Sequence, residues 1–370
     1  RSTQARAALL VTALVCAVAL SLAAGPGSAA AVPRQFFGIV PQTALTETDS
    51  DYMRAGRIGS LRLPLTWDSV QATPNGPYDF GGFDELVALA ARRHLRVLPV
   101  LGGIPHWLSR KRTTLPIDSA RRRRGWFAFV NAAVERYGPH GEFWFEHRRG
   151  GPEEFVPKVP VREWQIWNEA NFFYFTRPAS PTRYARLVKL SSRAIGRAEP
   201  GARVMLAGLF GEPSAKPPNA MHAVDFLARL YRVPGIKASF DAVALHPYAE
   251  TAADVIRMSE EMRQVMLRNG DRRARFDITE MGWGSQNHPN LVSFEQGVGF
   301  QKREMRRVYR YLIHNRGRLN LDGVYWFTWK DIRGSCNFCD STGFFRDSER
   351  LKPKPAWRTF VAITGGRVRP

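Results

Sequence analysis

Two glutamates close short apolar runs in a way that suits chemistry. Glu169 follows Trp164-Gln-Ile-Trp-Asn168, and Glu280 follows Phe276-Asp-Ile-Thr279. For either alone, the alternative is a structural acid paired with an arginine at the barrel rim. Brought face to face, the pair fits cleavage of a glycosidic bond. That reaction needs one carboxylic acid to protonate the leaving oxygen and one carboxylate to attack the sugar or activate water.

Elements that could position them run the length of the chain. Short apolar segments bounded by turn residues occur at 36–41, 59–67, 95–101, 164–168, 203–208, 240–245, 276–279 and 323–328, as buried parallel strands would. Between them lie amphipathic stretches, clearest at 83–93, 126–137, 181–197 and 298–315. Eight strands with interleaved helices predict a single (β/α)₈ TIM barrel over residues 32–370. A doubly wound open sheet is the alternative, but no Gly-rich phosphate loop follows the first strand. In a barrel, functional side chains gather where strands end. Those ends carry Arg62, Trp67, His106 and Trp107, Asn168 and Glu169, His246 and Tyr248, Glu280 and Trp283, and Trp326, Trp329, Lys330 and Asp331. Trp67, Trp107, Trp283 and the run Phe172–Phe175 would extend a sugar-binding cleft, since aromatic faces match the C–H faces of sugar rings.

Trp-Asn-Glu-Ala-Asn on the fourth strand and Ile-Thr-Glu-Met-Gly-Trp on the seventh, with His-Pro-Tyr between them, resemble the motifs of clan A glycoside hydrolases. Families 5 and 39 are nearest in flavour. The fourth-strand motif reads Asn-Glu-Ala, where many relatives carry Asn-Glu-Pro. The resemblance implies a retaining enzyme needing no metal or other cofactor. It implies Glu169 as general acid/base, Glu280 as nucleophile, and Asn168 on the sugar 2-hydroxyl. Arg62 and Tyr248 would flank Glu280, His246 would line the floor, and Trp326 would stack on the sugar. The rival reading is a glycan-binding barrel without activity.

Composition excludes disorder and coiled coil: 44% of 370 residues are hydrophobic and 24% charged. The net charge of +21 concerns partners, not fold. It admits an acidic glycan or an anionic cell-envelope polymer. Nucleic acid is set aside, because no zinc-finger spacing or RNA-reading aromatic signature accompanies the charge. The runs Arg121–Arg124 and Arg306-Arg307 read as solvated helix faces. A monomer is expected. Residues 1–31 read as an export signal: basic Arg1 and Arg6, an apolar run from Ala7 to Ala24, then small residues at 28–31. The alternative is an anchor through residues 7–24. Secretion makes a disulfide the simplest reading of Cys336 and Cys339, which cannot complete a zinc site by themselves.

Overall fold

Apolar runs bounded by turns become eight strands: β1 (Phe37–Val40), β2 (Ser60–Thr66), β3 (Arg96–Gly102), β4 (Glu163–Ile166), β5 (Arg203–Phe210), β6 (Ala242–His246), β7 (Arg275–Met281) and β8 (Leu321–Phe327). Each pairs in parallel with the next, and β1 pairs with β8 to close the barrel. The computed structural model describes residues 32–147, 155–287, 295–332, 339–347 and 350–370. Arg34–Pro370 forms one compact unit. The export or anchor segment lies outside the described residues, as do Cys336 and its pairing with Cys339. No described helix is long and apolar enough to cross a membrane.

One long helix follows each strand: α1 (Glu47–Ala55), α2 (Gly81–Arg92), α3 (Ala120–Tyr137), α4 (Pro181–Ala198), α5 (Ala223–Tyr231), α6 (Ala252–Arg268), α7 (Gly297–His314) and α8 (Pro355–Thr364). Their starts are written locally. Thr46 and Asp49 form a capping box at α1, and the side chains of Ser119, Ser180 and Thr251 accept backbone N–H bonds at α3, α4 and α6. Pro181 at the first turn of α4 costs no hydrogen bond there. Arg121, Arg123, Arg124, Arg306 and Arg307 are exposed, so those basic runs are solvated helix faces.

Strand side chains alternate between two cores. On β2, Leu61, Leu63 and Leu65 are buried under the helices, each worth roughly 1.5–3 kcal/mol of burial. Ser60 and Arg62 take the inward positions. Inside the barrel, Val40, Leu98, Met205, Ala244 and Tyr325 pack as one cluster. One register shift matters for the site. Ile278 pairs with Val324 and Met281 with Trp326, so β7 carries an extra residue between those pairs. The bulge lets neighbouring Thr279 and Glu280 both face inward, which strict alternation forbids.

The lower end of the interior holds a second acidic pair. Asp277 is buried, and among the described residues its Oδ2 has no hydrogen-bond partner; nor has Glu163 Oε1. Glu163 Oε2 accepts from Arg203 at 3.2 Å. Burial first, and then the charge of Glu163, push the Asp277 carboxyl well above the usual range. Unfolded Asp277 releases its proton near pH ~3.9, whereas the folded chain retains it to higher pH. The folded state therefore binds more protons, and stability declines as pH rises between those two values. Asp277→Asn, which needs no proton, is expected to raise Tm at pH 8 by about 2 °C or more. At pH 4 it should change Tm much less. Thermal melts across pH measure this; an equal or lower Tm at pH 8 contradicts it.

Candidate active site

Sequence and backbone together bring two carboxylates to the upper end of the barrel. β4 stops at Ile166, and Trp167 and Glu169 follow with φ of 70° and 38°. Bulky residues avoid this left-handed region at a cost of order 1–3 kcal/mol each. The surroundings hold the turn. Trp167 Nε1 donates to Phe175 O at 3.0 Å, and Glu169 N donates to Gly208 O at 3.2 Å. Asn171 Nδ2 donates to the carbonyls of Phe210 and Met221, both at 2.7 Å, and its Oδ1 accepts from Phe210 N. The second asparagine of Asn-Glu-Ala-Asn is thus a clasp tying the turn to β5.

Arg62 organises the centre. Its Nη1 donates to Glu280 Oε1 at 2.5 Å, Nη2 to Asn168 Oδ1 at 2.6 Å, and Nε to Gln165 Oε1 at 2.6 Å. Tyr248 donates its hydroxyl to Glu280 Oε2 at 2.8 Å. Both oxygens of Glu280 are therefore held, one by a guanidinium. Burial, with Glu280 beside it, keeps the Tyr248 phenol far above its usual range, so it remains a donor.

Glu169 is treated differently. It is buried, and desolvation raises its carboxyl well above the usual range; Glu280 adds to this and Arg62 opposes it. His246 Nδ1 lies 2.8 Å from Glu169 Oε1 and 3.5 Å from Glu280 Oε2. Full burial, and then Arg62, hold His246 well below its ordinary range, so the imidazole is neutral at pH 7. His246 fits only because position 208 is glycine: a Cβ there would overlap His246 Nε2 and Thr279 Oγ1. The result is one carboxylate compensated by charge beside one carboxyl that favours its proton.

Glu169, His246 and Glu280 offer ligand atoms all within 4.8 Å of one another, the spacing a metal ion could use. The donor set suits hydrogen bonding better. Both Glu280 oxygens are already bonded, and the guanidinium at 2.5 Å would repel a cation.

Arg62, Asn168, Glu169, His246, Tyr248 and Glu280, all anticipated from sequence, come together. The tryptophans do not. Trp67, Trp283 and Trp326 are fully buried, with no ring face open to a ligand. Trp326 follows inward-facing Tyr325, so it points to the outer layer, stacks on Phe344 at 5.5 Å, and donates to Thr342 O. Trp283 donates to the carbonyls of Ala249 and Glu250, and Trp67 donates to Gln71 Oε1 while packing against Trp126 and Phe129. Trp329 is likewise buried and bonds Asp49. His106 is exposed and makes no bond to either glutamate. Lys330 pairs with Asp49 and Asp331 with Lys354, so both serve the loop after β8.

Aromatic contacts near the site come from other residues. Phe210 and Phe327 lie against Tyr248, each with centroids 6.1 Å apart. Phe172 stacks on Phe210 at 4.8 Å, and Phe173 and Tyr174 continue outward to a 68% exposed Tyr174. Sequence reading missed Phe210, Phe327, Gln165 and Thr279. For Gln165, the signal was available as a polar residue at an inward position of an apolar strand.

No protein-family model matches the chain, and no curated protein matches it in sequence. Solved structures share its fold. A family 39 glycoside hydrolase from the gut symbiont Bacteroides cellulosilyticus WH2 aligns with a TM-score of 0.64 at 16% identity, over 90% of this chain and 64% of that one. A glucosidase from Croceicoccus marinus aligns at 0.62 and 15% identity, over 92% and 69%. A xylanase from Cellvibrio japonicus aligns at 0.59 and 14% identity, over 89% of this chain and 97% of that one. The chain therefore spans less than two thirds of the first of these proteins and nearly all of the last.

Proposed function

We propose that the protein is a retaining glycoside hydrolase of the clan A kind, with Glu280 as nucleophile and Glu169 as general acid/base. The observation that carries this reading is the unequal pair. Two carboxyl groups have oxygens within 4.8 Å, one gripped by Arg62 and Tyr248 and the other buried with a raised affinity for its proton. Such closeness favours double displacement, for which carboxyl groups stand roughly 5–5.5 Å apart; inversion needs about 6.5–9.5 Å to admit a water.

Glu280 attacks the anomeric carbon while Glu169 gives its proton to the leaving oxygen, forming a glycosyl ester on Glu280. The ester carries no charge, so one cause of Glu169's raised proton affinity disappears. Glu169 then takes a proton from the incoming water, which releases the sugar with its anomeric configuration restored. Asn168 accepts from Arg62 through Oδ1, which frees its amide N–H groups to donate to a sugar hydroxyl.

Arg110, Lys111, Arg112 and Arg177 are exposed on the loops after β3 and β4, and the Arg177 guanidinium lies 5.1 Å from the Phe173 ring. Cations beside an aromatic wall favour a glycan carrying carboxylate or sulfate groups. An extracellular location is supported by the sequence of residues 1–31, and a Cys336–Cys339 disulfide would accord with it.

The test is hydrolysis of a panel of α- and β-aryl glycosides, neutral and uronic, with the first-formed anomer read by proton NMR. Cleavage with retained configuration is expected. An inverted product refutes double displacement, and inertness towards the whole panel and towards polysaccharides points to a binding barrel instead.

A further inference from the structure

Beneath the two glutamates runs a directional chain of hydrogen bonds from Arg62 to His246. Arg62 Nε can only donate, so Gln165 Oε1 is its acceptor at 2.6 Å, and this fixes the orientation of the Gln165 amide. Gln165 Nε2 then donates to Leu206 O at 3.1 Å, an acceptor by nature, and to Thr279 Oγ1 at 3.3 Å. Thr279 is fully buried. Having accepted from Gln165, its hydroxyl has one proton to place, and His246 Nε2 stands 2.9 Å away. If Nε2 carried a proton instead, Thr279 Oγ1 would receive two donors, and its own O–H would be buried without an acceptor. That arrangement costs the full desolvation of the hydroxyl.

From this geometry we infer that Thr279 and Gln165 are positioning residues that hold His246 as the Nδ1–H tautomer, thereby confining the exchangeable proton of Glu169 to Oε2. His246 Nδ1–H donates to Glu169 Oε1, so Oε1 is an acceptor in both protonation states and the acid proton must sit on the other oxygen. Oε2 makes no hydrogen bond within the described residues, which leaves it for a ligand. The same tautomer serves Glu169 as acid and as base, and no ring flip is needed between the two half-reactions. The charged and titratable groups around His246 are Arg62, Glu169, Glu280 and Tyr248. Burial and the nearby guanidinium keep the ring neutral, as the arrangement requires.

The role in proton delivery rests on the hydrolase reading, but the tautomer does not, and the experiment separates them. Protein labelled with ¹⁵N in histidine is studied by long-range proton–nitrogen correlation NMR, with His246 assigned by loss of its signals in His246→Gln. A protonated Nδ1 and a bare Nε2 are expected in the wild type. Thr279→Val, which keeps shape and removes the hydroxyl, is expected to shift the ring towards Nε2–H, and Thr279→Ser to restore Nδ1–H. With a glycoside that cleaves, Thr279→Val should lower kcat about tenfold for a poor leaving group and much less for an activated one. A bare Nδ1 or an imidazolium in the wild type overturns the inference, as does an unchanged tautomer in Thr279→Val. The expected tautomers in a protein that hydrolyses no glycoside would uphold this arrangement and refute the hydrolase.

Discussion

Glu280→Ala is expected to abolish turnover, lowering kcat by about 10⁵-fold or more on every substrate, because no other described group in the site is placed to form the covalent bond. The vacancy it leaves is informative. Arg62 loses the partner at 2.5 Å, and Tyr248 loses the acceptor at 2.8 Å. Unpairing a buried guanidinium costs about 3–5 kcal/mol, so this variant should also melt at lower temperature. Glu280→Gln separates the two effects. Its amide can accept from Arg62 and donate to the Tyr248 oxygen, preserving much of the stability while remaining inert as a nucleophile. A small anion offers a further check. Azide drawn towards Arg62 in Glu280→Ala should attack an activated aryl glycoside from the vacated side and give a glycosyl azide of inverted configuration. Turnover within tenfold of wild type in both variants would remove Glu280 from the mechanism.

The sequence made these two glutamates legible because of their setting. One acid at the end of an apolar strand admits a structural use, but two, on the fourth and seventh strands, meet at one mouth of the expected barrel. Arg62 and His246 were legible from their strand positions, with their roles implied by the resemblance alone. The tryptophans show where such reading fails. Residue type reports size and apolarity but not the face of a strand. Trp326 sits one position from Tyr325 and Phe327, and that single step moves it from the barrel interior to the layer beneath the helices. Filling that layer takes large side chains, and Trp67, Trp283 and Trp329 are used in the same way. Thr279 was hidden by the opposite problem. Simple alternation would put only one of Thr279 and Glu280 inside, and the bulge that admits both depends on the pairing of β7 with β8, a non-local feature.

Glu169 is the residue whose removal should have the most selective effect. A leaving group that departs as a stable anion needs no proton, whereas a sugar or alkyl alcohol does. Glu169→Ala is therefore expected to lower kcat/KM by about 10²–10⁴-fold for unactivated glycosides, and by less than about tenfold for a dinitrophenyl glycoside. In the second case the block moves to the next step. Water is no longer deprotonated, so the glycosyl ester on Glu280 should accumulate and be visible by mass spectrometry. Azide, which needs no base, should discharge it with net retention. The pH dependence follows from the same group. The competent acid is the protonated form, and burial raises its pKa, so wild-type kcat/KM should fall as pH rises through that raised value. Glu169→Gln keeps a similar shape but cannot titrate, and with an activated substrate its basic limb should vanish. Were Glu169→Gln to keep both the limb and the activity on unactivated glycosides, another group would have to supply the proton. No other described titratable residue in the site is placed to do so: His246 is neutral with both nitrogens engaged, and Tyr248 is bonded to Glu280.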